Sequence, residues 1–133
     1  MQISLEGLAN VDFYLVRHGE ALSAHIDARR PLSARGREQV TELAQLAVSR
    51  QVQVAEIRHS GILRARQTAE ILAQRLTPSP GVRQSNGLLP DDDPEIGKAE
   101  RDAVDQSIML VGHVPYMNRL AGLLVASAAG SSI

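Results

Sequence analysis

Three short apolar runs, at residues 11–16 (VDFYLV), 52–57 (VQVAEI) and 108–111 (IMLV), each end on or just before a step that carries a histidine. Runs of this length, rich in β-branched and aromatic residues, read as buried strands. Between them the period changes. Val40, Leu43, Ala44 and Ala47 recur at helical spacing behind Pro31-Leu32-Ser33, which predicts a helix over residues 34–49 with Ser33 as its N-cap. Ile62, Ala65, Ala69, Leu72 and Leu76 predict a second amphipathic helix with Ser60 as N-cap, ended by the Thr77-Pro78-Ser79-Pro80-Gly81 segment. Residues 82–89 hold a short strand interrupted at Asn86-Gly87. Asp93 followed by Pro94 opens a charged, mostly solvated helix that reaches about Val104. Pro115 opens the last helix, with Met117, Leu120, Ala121, Leu124 and Val125 on one face. Strands alternating with helices predict an α/β domain whose mostly parallel sheet is covered on both sides, a three-layer α/β/α sandwich. At 133 residues the chain accommodates one such domain, over residues 11–133, behind a leader of residues 1–10.

Composition narrows the function. A net charge of -1 gives no general attraction to polyanions, and two Tyr, one Phe and no Trp leave few stacking platforms, which argues against nucleic acid as a partner. With no cysteine the chain has no disulfide, no thiolate metal site and no cysteine nucleophile. The longest apolar stretch, residues 120–129, is broken by Gly122 and Ser127 and is too short to span a bilayer. The amino-terminal residues lack the basic start and apolar run of a secretion signal, so a soluble cytoplasmic protein without a membrane partner is expected.

The candidate chemistry sits where the strands end. Arg17-His18 follows the first strand, residues 60–64 the second, and Gly112-His113 the late one. In open parallel sheets the carboxyl ends of the strands form the ligand crevice, so all three segments line one pocket. Arginine offers a planar fork of donors matched to phosphate oxygens, and a helix opening at Ser60 adds backbone N–H groups. Arg17 and Arg64 would depress the pKa of His18 and keep its imidazole neutral and nucleophilic. His113 would donate to an equatorial phosphoryl oxygen. Gly19 and Gly112, lacking side chains, would let the backbone pass close to a bound anion.

The runs LVRHGEA (residues 15–21), HSGILRARQTAEIL (59–72) and VGHVP (111–115) resemble the three signature stretches of the histidine phosphatase superfamily. Within it, the segment RRPLSARGREQ (29–39) and the short length most resemble the SixA-like phosphohistidine phosphatases. The resemblance covers nearly the whole chain after Asn10 and implies a phosphoglycerate mutase-like fold. It also implies that His18 is phosphorylated during turnover, that Arg17, Arg64 and His113 complete the phosphate pocket, and that no metal or organic cofactor takes part. Members of this type continue past the last helix into further strands; this chain ends at Ser131-Ser132-Ile133, so the expected sheet lacks those C-terminal strands.

For the acid that protonates the leaving group, Glu20 is the first candidate and Asp91 the second, with Glu20 as partner of a local arginine the competing reading. Asp91-Asp92-Asp93 reads as a solvated turn and helix cap rather than a Mg²⁺ site. His25 and His59 read as loop or rim residues. Three functions remain open at this point: a phosphatase for phosphohistidine on a protein such as a histidine phosphotransfer domain, a phosphatase for small phosphate esters, and a phosphate-binding regulatory module without turnover.

Overall fold

The computed structural model describes the backbone of residues 2–4 and 11–131 and the side chains of residues 11–126. Five strands and four helices follow in the order β1 (Gln2–Ser4), β2 (Asp12–Arg17), α1 (Ala34–Ser49), β3 (Glu56–His59), α2 (Leu63–Leu76), β4 (Gly81–Gln84), α3 (Pro94–Ala103), β5 (Ile108–Gly112) and α4 (Tyr116–Ser131). They form one sheet in the order β1-β2-β5-β3-β4. β2, β5, β3 and β4 are parallel, and β1, drawn from the leader, runs antiparallel along the outer side of β2.

β5 is the axis of the molecule. All five of its residues are buried, as a Val/Ile/Leu-rich strand covered on both faces requires. Alternation splits the strands between two cores. Met109 and Val111 join Val16 and Ile57 under α1 and α2, where Val40, Ala44, Ala65, Ala69 and Leu72 pack. Ile108 and Leu110 join Phe13 and Leu15 under α4, where Tyr116, Met117, Leu120 and Leu124 pack. The result is the three-layer α/β/α sandwich with a mostly parallel sheet.

Register places the loops. Arg17 is level with Gly112, and His59 is level with Val111 on one side and Gln84 on the other. His18, Ser60 and His113 therefore leave the same edge of the sheet within about one residue of each other.

Helix α1 begins and ends where its pattern predicts, and the Ser33 hydroxyl accepts the Gly36 N–H at 2.9 Å. Asp93 caps α3 in the same way, accepting the Glu95 N–H at 3.0 Å. Other expectations change. The second strand begins at Glu56 rather than residue 52, because its ladder can start only opposite Ile108, the first residue of β5. Val54 is buried under the helices without joining that ladder. Leu43 and Val125, expected on core faces, are 40% and 57% exposed, since narrower stripes suffice on both helices. α3 is less solvated than its charge suggests. Gly97 lies against Tyr116 and Leu120, and nearby Arg58 of β3 pairs with Glu56 and, across to α3, with Glu100, both at 2.7 Å.

Among the described residues no helix is long and apolar enough to cross a membrane. The fully buried Leu110 tests the packing at the sheet's centre. Leu110→Ala is expected to lower the unfolding free energy by about 2–5 kcal/mol in urea titration. A loss below about 1 kcal/mol would contradict close packing on this face.

Candidate active site

The geometry begins at the end of β2. His18 continues the ladder by one bond, its backbone N–H donating to the Gly112 carbonyl at 3.0 Å. The chain then turns back, so that the Gly19 carbonyl lies 2.7 Å from His18 Nδ1. A carbonyl oxygen only accepts, so Nδ1 carries the proton and Nε2 keeps its lone pair. The Gly19 N–H donates to Thr68 Oγ1 at 3.1 Å, and the Thr68 hydroxyl donates to the Arg64 carbonyl at 2.8 Å. Fully buried Thr68 thus ties the histidine loop to the helix that carries Arg64. Gly19 itself is required by packing: a Cβ there would meet Val40 Cγ2 at 2.7 Å and the Gly36 carbonyl at 3.0 Å. At Gly112 a Cβ would meet Met117 Cε at 2.5 Å. Gly19 thus lets helix α1 approach the loop, whereas at Gly112 the nearest atom is the end of the flexible Met117 side chain.

Arg64 stands in the first turn of α2 and donates from Nε to His18 Nε2 at 3.3 Å. His113, only 1% exposed, places its ring centroid 5.0 Å from that of His18, tilted by 57°. Its Nε2 lies 2.7 Å from Ser60 Oγ. Ser60 does not cap α2 as expected; the N-cap is Ile62, which makes no side-chain cap bond. Ser60 Oγ instead bridges, accepting the Ile62 N–H at 3.3 Å while it meets His113. The Gly61 N–H is taken by His59 Nδ1 at 3.0 Å. The leading N–H groups before α2 are thus bound by side chains of their own turn. His59, expected at the rim, is only 5% exposed because it sits at the end of an interior strand.

Burial depresses the pKa of His18, and Arg64, Arg17 and Arg30 push it the same way against the bond to Gly19. The guanidinium groups reinforce the shift rather than dominate it. Burial is also the main cause for His113, whose pKa falls to about 4 with further pressure from His18 and Arg64. Both rings are neutral at pH 7.

A cleft of about 530 Å³ opens on the His18 side, lined by Arg17, His18, Glu20, Arg30, Gln39 and Leu43 among others. Arg30 lies in the RRPL segment, where a second arginine next to the loop is the sequence signal for its place in the cleft. The Glu20 carboxylate accepts the Ser33 hydroxyl at 2.9 Å, so its partner is a helix cap and not an arginine. Asp91 is exposed, and Asp92 binds the Leu89 N–H at 2.8 Å. His25 is exposed. Among the described residues no group of three or more His, Cys, Asp or Glu side chains is arranged to hold a metal ion.

A sequence model of the histidine phosphatase superfamily (branch 1) matches residues 13–88. The fold matches the crystal structure of the SixA protein from Agrobacterium tumefaciens with a TM-score of 0.76 at 26% identity, over 85% of this chain and 75% of that one. It also matches a protein histidine phosphatase SixA complexed with tungstate, with a TM-score of 0.73 at 25% identity, over 91% of this chain and 74% of that one. The alpha-ribazole phosphatase from Shigella flexneri shares the fold, with a TM-score of 0.68 at 21% identity, over 84% of this chain and 78% of that one. No curated protein sequence matches the chain at a significant level.

Two outcomes follow from this geometry. Thr68→Val removes the acceptor for the Gly19 N–H in a buried place and is expected to cost about 1–3 kcal/mol in urea unfolding, with Thr68→Ser costing less. A larger loss for Thr68→Ser than for Thr68→Val would mean that the methyl group, not the hydroxyl, matters. Unfolded imidazoles take up protons near pH 6.5 and folded His113 only near 4, so the unfolded state binds more protons between these values. Stability from neutral His113 is complete above that window and is lost as pH falls through it. The stability deficit of His113→Asn relative to the parent should therefore shrink between pH 7 and 4.5; a constant deficit would refute the shift.

Proposed function

The chain belongs to the histidine phosphatase superfamily, and on that premise we propose that it hydrolyses phosphohistidine on a protein through a phosphoenzyme at His18. The observation that carries this reading is the pairing of a neutral His18, its Nε2 lone pair free of a proton, with Arg64 at 3.3 Å from that same atom. An incoming phosphoryl group draws the Arg64 fork onto its oxygens, which uncovers Nε2 for attack at phosphorus. The new P–N bond forms as the bond to the leaving group breaks, and the leaving group departs with its electron pair. Water then attacks the phosphorus of the phosphorylated His18 and gives up a proton to solvent, the P–N electron pair returns to Nε2, and inorganic phosphate leaves with His18 neutral again.

Hydrogen-bond accounting assigns His113 its role. If the Ser60 hydroxyl donates to Nε2 while accepting the Ile62 N–H, a single group is left over: a proton on Nδ1, which is buried and has no partner. The reverse assignment leaves both the Ser60 hydroxyl and Nδ1 unsatisfied, which costs more. His113 therefore offers an N–H from Nδ1 to a phosphoryl oxygen. Arg17 and Arg30 add positive charge beside the same oxygens.

The acid that the site does not prepare supports this substrate class. Glu20 is bound at the cap of α1, Asp92 and Asp93 at loop and cap N–H groups, and Asp91 is exposed to solvent, so among the described residues these four carboxylates offer no pre-arranged acid for an alkoxide leaving group. An imidazole leaving group needs little help. The apolar side chains of Ile26, Leu43, Leu89 and Val114 are exposed on the cleft wall and on loops at the same end of the sheet, as suits a protein-borne substrate. The likeness to SixA phosphatases points the same way.

Incubation with a phosphorylated histidine phosphotransfer domain, quenched in base, should trap an acid-labile phosphoenzyme at His18. His18→Ala should abolish it and lower turnover by about 10³-fold or more. Faster turnover of small phosphate esters would favour the ester reading, and binding without any phosphoenzyme would favour a regulatory module. The active form has His18 unprotonated, so kcat/KM should rise with pH through a midpoint below 6.5 and level off by neutrality. A midpoint above 6.5 would contradict a depressed His18.

A further inference from the structure

His59 takes no part in the mechanism above, yet it is a buried imidazole one residue from Ser60. It closes β3, with its backbone carbonyl accepting the Ser85 N–H at 2.9 Å. Its Nδ1 accepts the Gly61 N–H at 3.0 Å, which requires an unprotonated nitrogen there and puts the ring's proton on Nε2. Gly61 has φ +92°, and the space a Cβ would need is filled by the Gln84 side-chain amide, 2.5 Å away. The turn at residues 59–62 is thus held by the His59 ring at one N–H and hemmed by Gln84. Ser60, within the same turn, is the residue whose hydroxyl meets His113 at 2.7 Å.

We infer that His59 is a positioning residue for the phosphatase reaction: by accepting the Gly61 N–H it fixes the turn through which Ser60 orients His113. The inference rests on the phosphatase reading given above. Helix α2 has no side-chain bond from its own N-cap, so the N–H groups just before it depend on this turn. An acceptor at position 59 holds Gly61, and Gly61 sets where Ser60 points. Ser60 in turn decides which nitrogen of His113 carries its proton. Burial holds the pKa of the His59 ring below its ordinary value, with Arg66 of α2 lowering it further and Glu70 of α2 raising it, so the ring is neutral at pH 7.

Packing and hydrogen bonding make opposite predictions for two variants. Leucine at position 59 keeps apolar bulk and accepts nothing; asparagine loses bulk and keeps an acceptor oxygen near the place of Nδ1. His59→Leu is expected to lower kcat about 10-fold with KM within about twofold, whereas His59→Asn stays within about threefold of the parent. The ring resonances of His113 should move in His59→Leu and stay near their parental positions in His59→Asn. Parental kinetics in His59→Leu, or an equal loss in both variants, would overturn the inference. The parent protein supplies a test that needs no variant. In ¹⁵N-labelled protein, scalar coupling across the hydrogen bond between the Gly61 N–H and His59 Nδ1 is expected, and a His59 ring protonated at Nδ1 would overturn the inference even if His59→Leu fails to fold. Absence of any phosphohistidine turnover in the parent would instead refute the phosphatase reading, and the coupling and the His113 resonances would still decide the role of His59.

Discussion

The hydrogen bond from His18 Nδ1 to the carbonyl of its neighbour, 2.7 Å long, decides what this site can do. It is a local bond, made within two residues, and by itself a flexible loop would make it only part of the time. It persists because the loop is tied on both sides. One tie is the ladder bond from His18 to Gly112, which extends the sheet past its formal end. The other is Thr68, whose hydroxyl accepts the Gly19 N–H and donates a hydrogen bond to the Arg64 carbonyl. Tautomer, ring direction and the place of Arg64 are therefore coupled through one buried hydroxyl.

The electrostatics are built against stability. Arg17, Arg30 and Arg64 all bear on His18, and burial, with Arg30 after it, depresses the pKa of Arg64. Like charges gathered around partly buried imidazoles are unfavourable until an anion joins them, and under the proposed function a phosphoryl group would relieve that repulsion. The unpartnered Nδ1 of His113 belongs to the same pattern. A buried donor without an acceptor costs about 1–3 kcal/mol, which under the proposed function a phosphate oxygen would recover. Rigid central strands, most of all the fully buried β5, make such a site tolerable.

Much of this was legible from residues alone, and the reason is locality. Ser33, the stripe through Val40 and Ala44, and the Asp93-Pro94 step all act within one helical turn, and those helices begin where they should. The three strand ends were legible because an apolar run that stops at a histidine or glycine is a local signal. What escaped depends on partners far along the chain. Ser60 reads as a helix cap until its partner 53 residues away is known. His59 reads as a rim residue until its strand is found to lie inside the sheet. The second strand looked longer because Val52 and Val54 are apolar for the sake of the helices above them. Arg30 lies thirteen residues from Arg17 in a loop whose path no periodicity predicts, and it lines the cleft beside His18 all the same.

The central claim is that His18 rests as a neutral ring with its proton on Nδ1 and a lone pair on Nε2. Long-range ¹H–¹⁵N correlation spectroscopy of the ring nitrogens in the resting protein at pH 7 reads this directly. The account predicts a protonated Nδ1 and an unprotonated Nε2 for His18. An imidazolium at that pH, or a ring with its proton on Nε2, would contradict it.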